Sequence, residues 1–528
     1  MKRIITICAV LSLGIGTAFS QNASDALRYS ENNYYGTART MAMGNAFTAL
    51  GGDTGAIGIN PAGSAVAGYS QVTVTPGISI VTTSTTYDTK PVSGNLDSFN
   101  SDRTRGTLPN LGVITTLKTG NRSGLKSHAF GVVMNATNLY HEEFEGSGTN
   151  DRTSMLGSIA SWTDFDGYNE SQIQDAHWAT FPYPNELVAY DTGMMSSYNN
   201  GNNWIAATEV FDPDGTIRLG GPLDQRYNQR TTGTKYDVLL NYAMNFNDQF
   251  YIGANLGLVA INSRTTGTFD EVAINPYDFM QEFDDGTTLY FDSSRYRTRN
   301  TVEGDGVYGK FGFLWVPTSQ FRLGAAIQTP TTTWLREKWY VAGDCLFTEA
   351  SYDGRSVSDE YHHDYRLVSP YRLNAGLSYV FPGIGMISAD YEMTDYSTMK
   401  YKSDDDYIED EFWDVNNDIK DNYRISHAMR FGAEICPQPM FAIRAGYTAT
   451  SSPEKGVDKF TQQASLGLGI KTNGSFFFDF AIRGTFRPDN YFYPYDYPSG
   501  TFDDGTLTPE MVIKKNIWDV VATLGWRF

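Results

Sequence analysis

The chain has 528 residues, with 40 Lys and Arg against 60 Asp and Glu, 51 Gly, 34 Tyr, 31 Phe and 3 Cys. A mean hydropathy of -0.37, without an apolar run of about 18 residues beyond the N-terminus, excludes a helical membrane bundle. A net charge of -20 with no basic stripe argues against a nucleic-acid binder, because neutralising phosphates takes clustered cations.

The chain opens as an export leader. Met1-Lys2-Arg3 is a short positive region, Ile4 to Ile15 is apolar, and Ala18-Phe19-Ser20 supplies small side chains for a peptidase. Residues 1–20 are therefore predicted to be a signal peptide cut before Gln21; a buried first strand would not need that charge–apolar–small order. Its removal deletes Cys8. Cys345 and Cys436 remain, and the topology below sets them on opposite sides of a membrane, so no disulfide is expected.

Residues 21–69 do not alternate. They hold a run of helix formers, Ala38-Arg39-Thr40-Met41-Ala42-Met43-Gly44, then Gly51-Gly52-Asp53, then Asn60-Pro61-Ala62-Gly63. So many small residues let backbone pack closely, which suits a compact plug; the alternative of a solvated tail is at odds with the apolar content.

From residue 70 onward the signal is period two. In the last segment Trp518, Val520, Ala522, Leu524, Trp526 and Phe528 share one face, and Asp519, Thr523, Gly525 and Arg527 the other. Soluble sandwich strands alternate too, but long strands with aromatics on the apolar face fit a lipid-facing barrel better. Fourteen strands are predicted at 70–82, 108–118, 128–140, 234–246, 250–265, 305–316, 320–329, 367–381, 385–397, 425–436, 440–449, 462–472, 475–487 and 515–528. Short turns such as Asn247-Asp248-Gln249, Pro317-Thr318-Ser319 and Asn473-Gly474 alternate strictly with long connections, of which 141–233 is the longest. Outer-membrane barrels show that parity, with short periplasmic turns and long external loops. Aromatics such as Phe246, Phe250, Trp315, Phe381 and Phe476 cluster at the short-turn ends, as an interfacial girdle would.

The motifs of residues 38–63, with the strand count, loop parity and terminal Phe528, resemble the FadL/TodX family of outer-membrane transporters. The resemblance implies an all-β, fourteen-stranded antiparallel transmembrane barrel in the bacterial outer membrane, its lumen plugged by an N-terminal hatch over 21–69. It also implies uptake of hydrophobic small molecules, long-chain fatty acids in the founding type and aromatic hydrocarbons in others. Ligand would be captured by external loops and released sideways through a gap in strand 3, where Asn135 and Asn138 weaken the apolar face. The residues carried over are Asn60, Pro61 and Ala62 of the hatch motif. Relatives with such a hatch are often labelled hemin receptors, and FadL-like barrels also serve as shuttle subunits of a protein secretion system; haem binding and cargo shuttling are the alternatives.

Parity sets Lys310, Arg322, Arg372, Asp390, Glu392, Arg430, Glu434, Arg444, Lys471, Asp479, Arg483 and Asp519 toward the lumen. Such charges commonly pair with one another, but a ligand carboxylate would find Lys310, Arg372, Arg430 and Arg483 in the middle or upper strands. Loop aromatics available for capture include Trp162, Trp204, Trp334, Trp339, Tyr340, Trp413, Tyr491 and Phe492. The acidic run 404–421 reads as a solvated loop or a divalent-cation bridge to lipopolysaccharide, without EF-hand spacing.

Catalysis finds no constellation. His128 and His427 fall on lipid-facing positions, while His141, His177, His362 and His363 fall in long loops, so no histidine is placed in the lumen. Gly304-Asp305-Gly306-Val307-Tyr308-Gly309 matches a dinucleotide fingerprint but leads into a strand rather than a helix. The expectation is a monomeric non-enzyme without cofactor or metal. Its partners would be a hydrophobic ligand, outer-membrane lipid and lipopolysaccharide, and the barrel assembly machinery reading the strand that ends at Phe528, with no nucleic acid.

Overall fold

The computed structural model describes residues 22–88, 98–178, 183–283, 286–403, 412–472, 474–501 and 508–528. The predicted leader, Asn473 and the first part of the acidic run lie outside them. Fourteen strands make the wall: β1 (Gln71–Asp88), β2 (Ser98–Lys118), β3 (Leu125–Asn150), β4 (Leu223–Phe246), β5 (Phe250–Ala273), β6 (Thr288–Trp315) and β7 (Phe321–Gln328) come first. Then follow β8 (Arg372–Phe381), β9 (Gly385–Asp395), β10 (Ile425–Gln438), β11 (Phe441–Ser451), β12 (Phe460–Lys471), β13 (Phe476–Phe486) and β14 (Glu510–Arg527). Each pairs antiparallel with its sequence neighbour, and β14 returns to β1 along the rungs from Gln71↔Arg527 to Asp88↔Glu510. The expected fourteen-stranded barrel is therefore closed.

Alternation explains both faces. Phe313, Ile327, Leu377, Phe431, Ile443, Leu466, Leu468, Ile482 and Trp518 point outward and are exposed, while Lys310, Arg372, Glu434, Arg444, Asp479 and Asp519 point inward and are buried. An outward band this apolar is built to face hydrocarbon. Asn247 and Asp248 both take positive φ (59° and 57°), which gives the β4–β5 hairpin the twist its strands require.

The strands run further than the hydrophobic pattern shows. Much of 83–107, 141–233 and 266–304, read as loop, continues the ladder upward as β1–β6. Beyond the apolar band these rungs carry charged pairs instead, such as Arg295–Asp270 at 2.6 Å and Arg297–Asp344 at 2.6 Å. The pleat persists there, but alternation in hydrophobicity does not. The expected loop 330–366 is mostly two strands, 331–347 and 361–369, which extend β7 and β8 in unbroken register from Gln328↔Arg372 to Thr331↔Ser369. Pro330 and Pro370 fall opposite each other in the interruption, since neither can donate to the ladder. The strand expected at 367–381 is split there.

Residues 151–178 and 183–222 fold into a cap with helices α3 (Met155–Asp166), α4 (Glu170–Gln174) and α5 (Pro184–Asp191). Its core of Met155, Leu156, Ile159, Val188 and Trp204 merges with wall residues Phe269 and Phe291. Ser154 caps α3 by accepting from Gly157 N at 2.9 Å, and the buried Glu271 carboxylate of β5 accepts from Met155 N at 2.9 Å. Cys345 lies beneath this cap and Cys436 near the short-turn end of β10; both are free thiols.

Candidate functional site

The segment 22–69 lies within the lumen, touching strands all round the wall. Helix α1 (Ala23–Ser30) is capped by Asn22, whose side chain accepts from Asp25 N at 2.8 Å, and α2 (Ala38–Ala42) by Thr37. Gly44 and Asn45 then take positive φ and turn the chain back. Wall glycines seat this backbone. A Cβ on Gly312 would strike Asn60 Oδ1, one on Gly324 would strike Thr48 O, and one on Gly446 would strike Gly44 N. Around the ring, wall side chains satisfy hatch carbonyls that would otherwise be orphaned: Asn255 donates to Ile57 O at 2.9 Å, Arg322 to Leu50 O at 3.1 Å, and Ser465 to Ala42 O at 3.1 Å. Asp390 of β9 accepts from Thr48 N at 2.6 Å.

Asn60 is the hub of this contact. It is 1% exposed; its Nδ2 donates to Thr48 O at 2.6 Å and Phe313 O at 3.1 Å, and its Oδ1 accepts from Ala62 N at 3.1 Å. One side chain thus ties the hatch to itself and to β6. Pro61 occupies the first position of a 3-10 turn, where its missing N–H costs nothing, and Asn241 Nδ2 donates to its carbonyl at 3.1 Å. Ala62 is fully buried among Ile57, Leu239 and Ala243.

The four cations proposed for a ligand carboxylate meet the hatch. Lys310 donates to Gly58 O at 2.8 Å. Arg372 donates to Ser30 O at 2.6 Å and pairs with Glu392 at 3.5 Å. Arg430 pairs with Glu392 at 3.1 Å and lies over the Tyr34 ring at 4.9 Å, while its Nη1 finds no partner among the described residues. Arg483 pairs with Asp519 at 2.9 Å and donates to Tyr34 O at 3.0 Å. Lower down, Arg39 of the hatch joins Glu434 at 3.0 Å, and Arg444 joins Glu434 at 2.5 Å and Asp479 at 2.6 Å.

Above the hatch lies a cavity of about 640 Å³, lined by the upper strands and by the segments 453–459 and 487–492, with Asn185 the one cap residue in its lining among the described residues. Of the four cations only Arg372 and Arg430 line it. Of the expected capture aromatics, Trp339, Tyr340, Tyr491 and Phe492 line it too, whereas Trp204 is buried in the cap core and Trp334 and Trp413 face outward. One expectation is corrected here: His141 is 4% exposed on upper β3 and lines this cavity, because β3 continues past its predicted end at 140. His362 is exposed beside Glu360 and His363 stacks on Phe412. A cluster unseen in the sequence also lines it: Lys515 pairs with Glu142 at 2.6 Å, Arg487 approaches Glu31 at 3.9 Å, and Arg28 pairs with Asp25 at 3.5 Å. Lys515 and Glu142, like Arg487 and Glu31, are hundreds of positions apart, so no spacing could have revealed those two pairs.

In the cap, burial pushes the Glu186 carboxyl up to about 8. Glu209 is pushed up to about 7 by burial, although it accepts from Ala206 N at 2.9 Å.

Among the described residues the wall has one seam. β2 and β3 pair only from Lys118↔Ser127 up to Asn110↔Asn135. Above that, β2 pairs with β1 and β3 with β4, and β3 carries a bulge between Ala136 and Asn138. Hatch residues take the place of β2 there: Asn33 N donates to Thr137 O at 2.6 Å and Tyr35 N to Ala136 O at 3.1 Å. Higher still, among the described residues, only side chains bridge the seam, such as Arg103 to Glu143 at 2.6 Å.

No protein-family model matches the chain, and no curated protein matches it. Among solved structures it is similar to the Pseudomonas putida toluene transporter TodX, at 12% identity and TM-score 0.49, covering 94% of this chain and 99% of that one. A Pseudomonas aeruginosa FadL homologue matches at 13% identity and TM-score 0.49, covering 94% and 98%. The Ralstonia pickettii toluene transporter TbuX matches at 14% and 0.47, covering 94% and 99%.

Proposed function

We propose that this chain is an outer-membrane channel for uptake of hydrophobic and amphipathic small molecules, of the long-chain fatty-acid or monoaromatic kind. Ligand collects in the cavity above the hatch and leaves sideways through the seam between β2 and β3. The observation that carries this reading is the pairing that stops at Asn110↔Asn135 in a wall whose axis is stoppered. With hatch backbone bonded to strands around the ring, the axial route is shut, and the seam is where the ladder offers least resistance. The apolar outer band places the barrel in a bilayer, and an exit through the wall delivers an apolar solute to hydrocarbon without crossing water. The cations assigned to a ligand carboxylate are Arg372 and Arg430, which line the cavity although Arg372 also donates to Ser30 O; Lys310 and Arg483 lie outside that lining and hold the hatch.

The test is to bridge the seam. Arg103→Cys with Glu143→Cys, crosslinked after assembly, should abolish uptake of radiolabelled oleate or toluene while leaving binding to the purified barrel intact. Uptake at the uncrosslinked rate defeats lateral release. A second reading is haem capture, which the inward position of His141 favours. It predicts a Soret shift on hemin titration that disappears in His141→Ala.

A further inference from the structure

The wall is uneven in height. β6 has 28 residues and β13 only 11. At about 3.3 Å per residue and a tilt of about 40°, these climb roughly 70 Å and 28 Å. The low side, β10–β13, therefore ends where the apolar band ends, at the level of the outer leaflet's headgroups, while the tall side carries the cap. The cavity is bounded on that low side by two short rim segments, 453–459 between β11 and β12 and 487–491 after β13. Asp458 lines the cavity, yet its side chain is 89% exposed, so the cavity meets the exterior at this rim. Between the two rim segments the one tie among the described residues is Lys459 to Asp489 at 4.0 Å, whereas 453–459 is held to its other neighbour by Arg424 N donating to Pro453 O and Lys455 N to Asn422 O, both at 2.8 Å. An exposed ion pair such as Lys459–Asp489 holds little free energy, about 0–1 kcal/mol. The cap on the tall side is fixed far more firmly, by Glu271 accepting from Met155 N at 2.9 Å and by Gln225 Nε2 donating to Thr153 O at 3.1 Å beside an apolar core.

We infer that ligand enters from the side, over the low rim of β10–β13, and that the cap is a fixed element rather than a lid. The solute class is then an amphiphile already partitioned into the outer leaflet, whose head slides across the charged rim while its apolar part stays near hydrocarbon. Trp339, Tyr340 and Tyr491 offer amphipathic faces inside, and Arg487 and Lys515 stand just within the rim for an anionic head. This rests on the uptake reading above.

The experiment uses the mature chain in lipid vesicles, in a Cys436→Ser background. One variant, Lys459→Cys with Asp489→Cys, is bridged by a short bis-maleimide across the rim after assembly. A second, Asp191→Cys with Ser356→Cys, pins the cap to the tall wall where Ser356 now donates to Asp191 at 3.0 Å. The probe is a dansyl-labelled decanoate preloaded in the vesicle lipid, read by its emission shift on entering the cavity. The expected result is at least tenfold slower loading with the rim bridged, an unchanged rate with the cap pinned, and a rate that follows probe density in the lipid rather than free probe. Slowing by the cap bridge, no effect of the rim bridge, or dependence on free probe alone overturns the side entrance. A wild-type barrel that binds no probe removes the uptake reading itself, and the entrance with it.

Discussion

Replacing Asn60 tests whether the hatch is held by one buried amide. Asn60→Ala deletes two donated bonds, to Thr48 O and Phe313 O, and one accepted from Ala62 N. At about 1 kcal/mol net per bond the loss is about 3 kcal/mol. Each 1.4 kcal/mol is about tenfold, so local opening of the hatch should become roughly a hundredfold more frequent. Asn60→Asp separates the contributions. The acid keeps an oxygen for Ala62 N, and at a cap position Asp and Asn are about equivalent. Inside the lumen, however, it loses both donors and sets a carboxylate against two carbonyl oxygens. The expected order of hatch protection is therefore wild type, then Asn60→Ala, then Asn60→Asp. Hydrogen exchange over residues 45–66 in detergent reads this directly, and rare conductance events in a planar bilayer read it a second way. Wild-type protection in Asn60→Asp would show that capping the turn is all Asn60 does, and the anchoring argument would fail.

Four further outcomes follow from the same geometry. Gly446→Val places a side chain into Gly44 N and should eject or misseat the hatch, costing at least about 1–3 kcal/mol; partial proteolysis of 22–69 in the assembled barrel would show it. Arg430→Ala should weaken oleate binding about tenfold, because Arg430 lines the cavity, whereas Arg483→Ala should leave affinity nearly unchanged and loosen the hatch; equal affinities in all three proteins would remove Arg430 from the site. The cap should lose stability as pH rises. Glu186 and Glu209 have folded-state values of about 8 and about 7 against an ordinary 4.5, so the folded cap binds more protons between those limits. Protease sensitivity of 151–222 should therefore rise from pH 5 to pH 8.5, and Glu186→Gln should flatten the profile. Bridging the β2–β3 seam should stop uptake but not binding.

The sequence by itself determined the barrel. Wherever one face of a strand meets hydrocarbon and the other the lumen, side chains must alternate, and Phe476 to Phe486 or Trp518 to Trp526 display that on the page. Turn chemistry marked the short ends for the same local reason, since Asn247 and Asp248 tolerate positive φ. Only the tertiary structure decided how high the wall stands, because above the bilayer both faces are wet or capped and the hydrophobic period vanishes while the hydrogen-bond ladder goes on. The site was also beyond local reading. Parity could say that Lys310, Arg372, Arg430 and Arg483 point inward, but not that Ser30 O, Gly58 O and Tyr34 O wait there for them. Nor could it place His141 in the cavity or open the seam at Asn110↔Asn135. Those are contacts between segments a hundred or more residues apart, or pairings that fail to form, and neither leaves a trace in the spacing of neighbouring side chains.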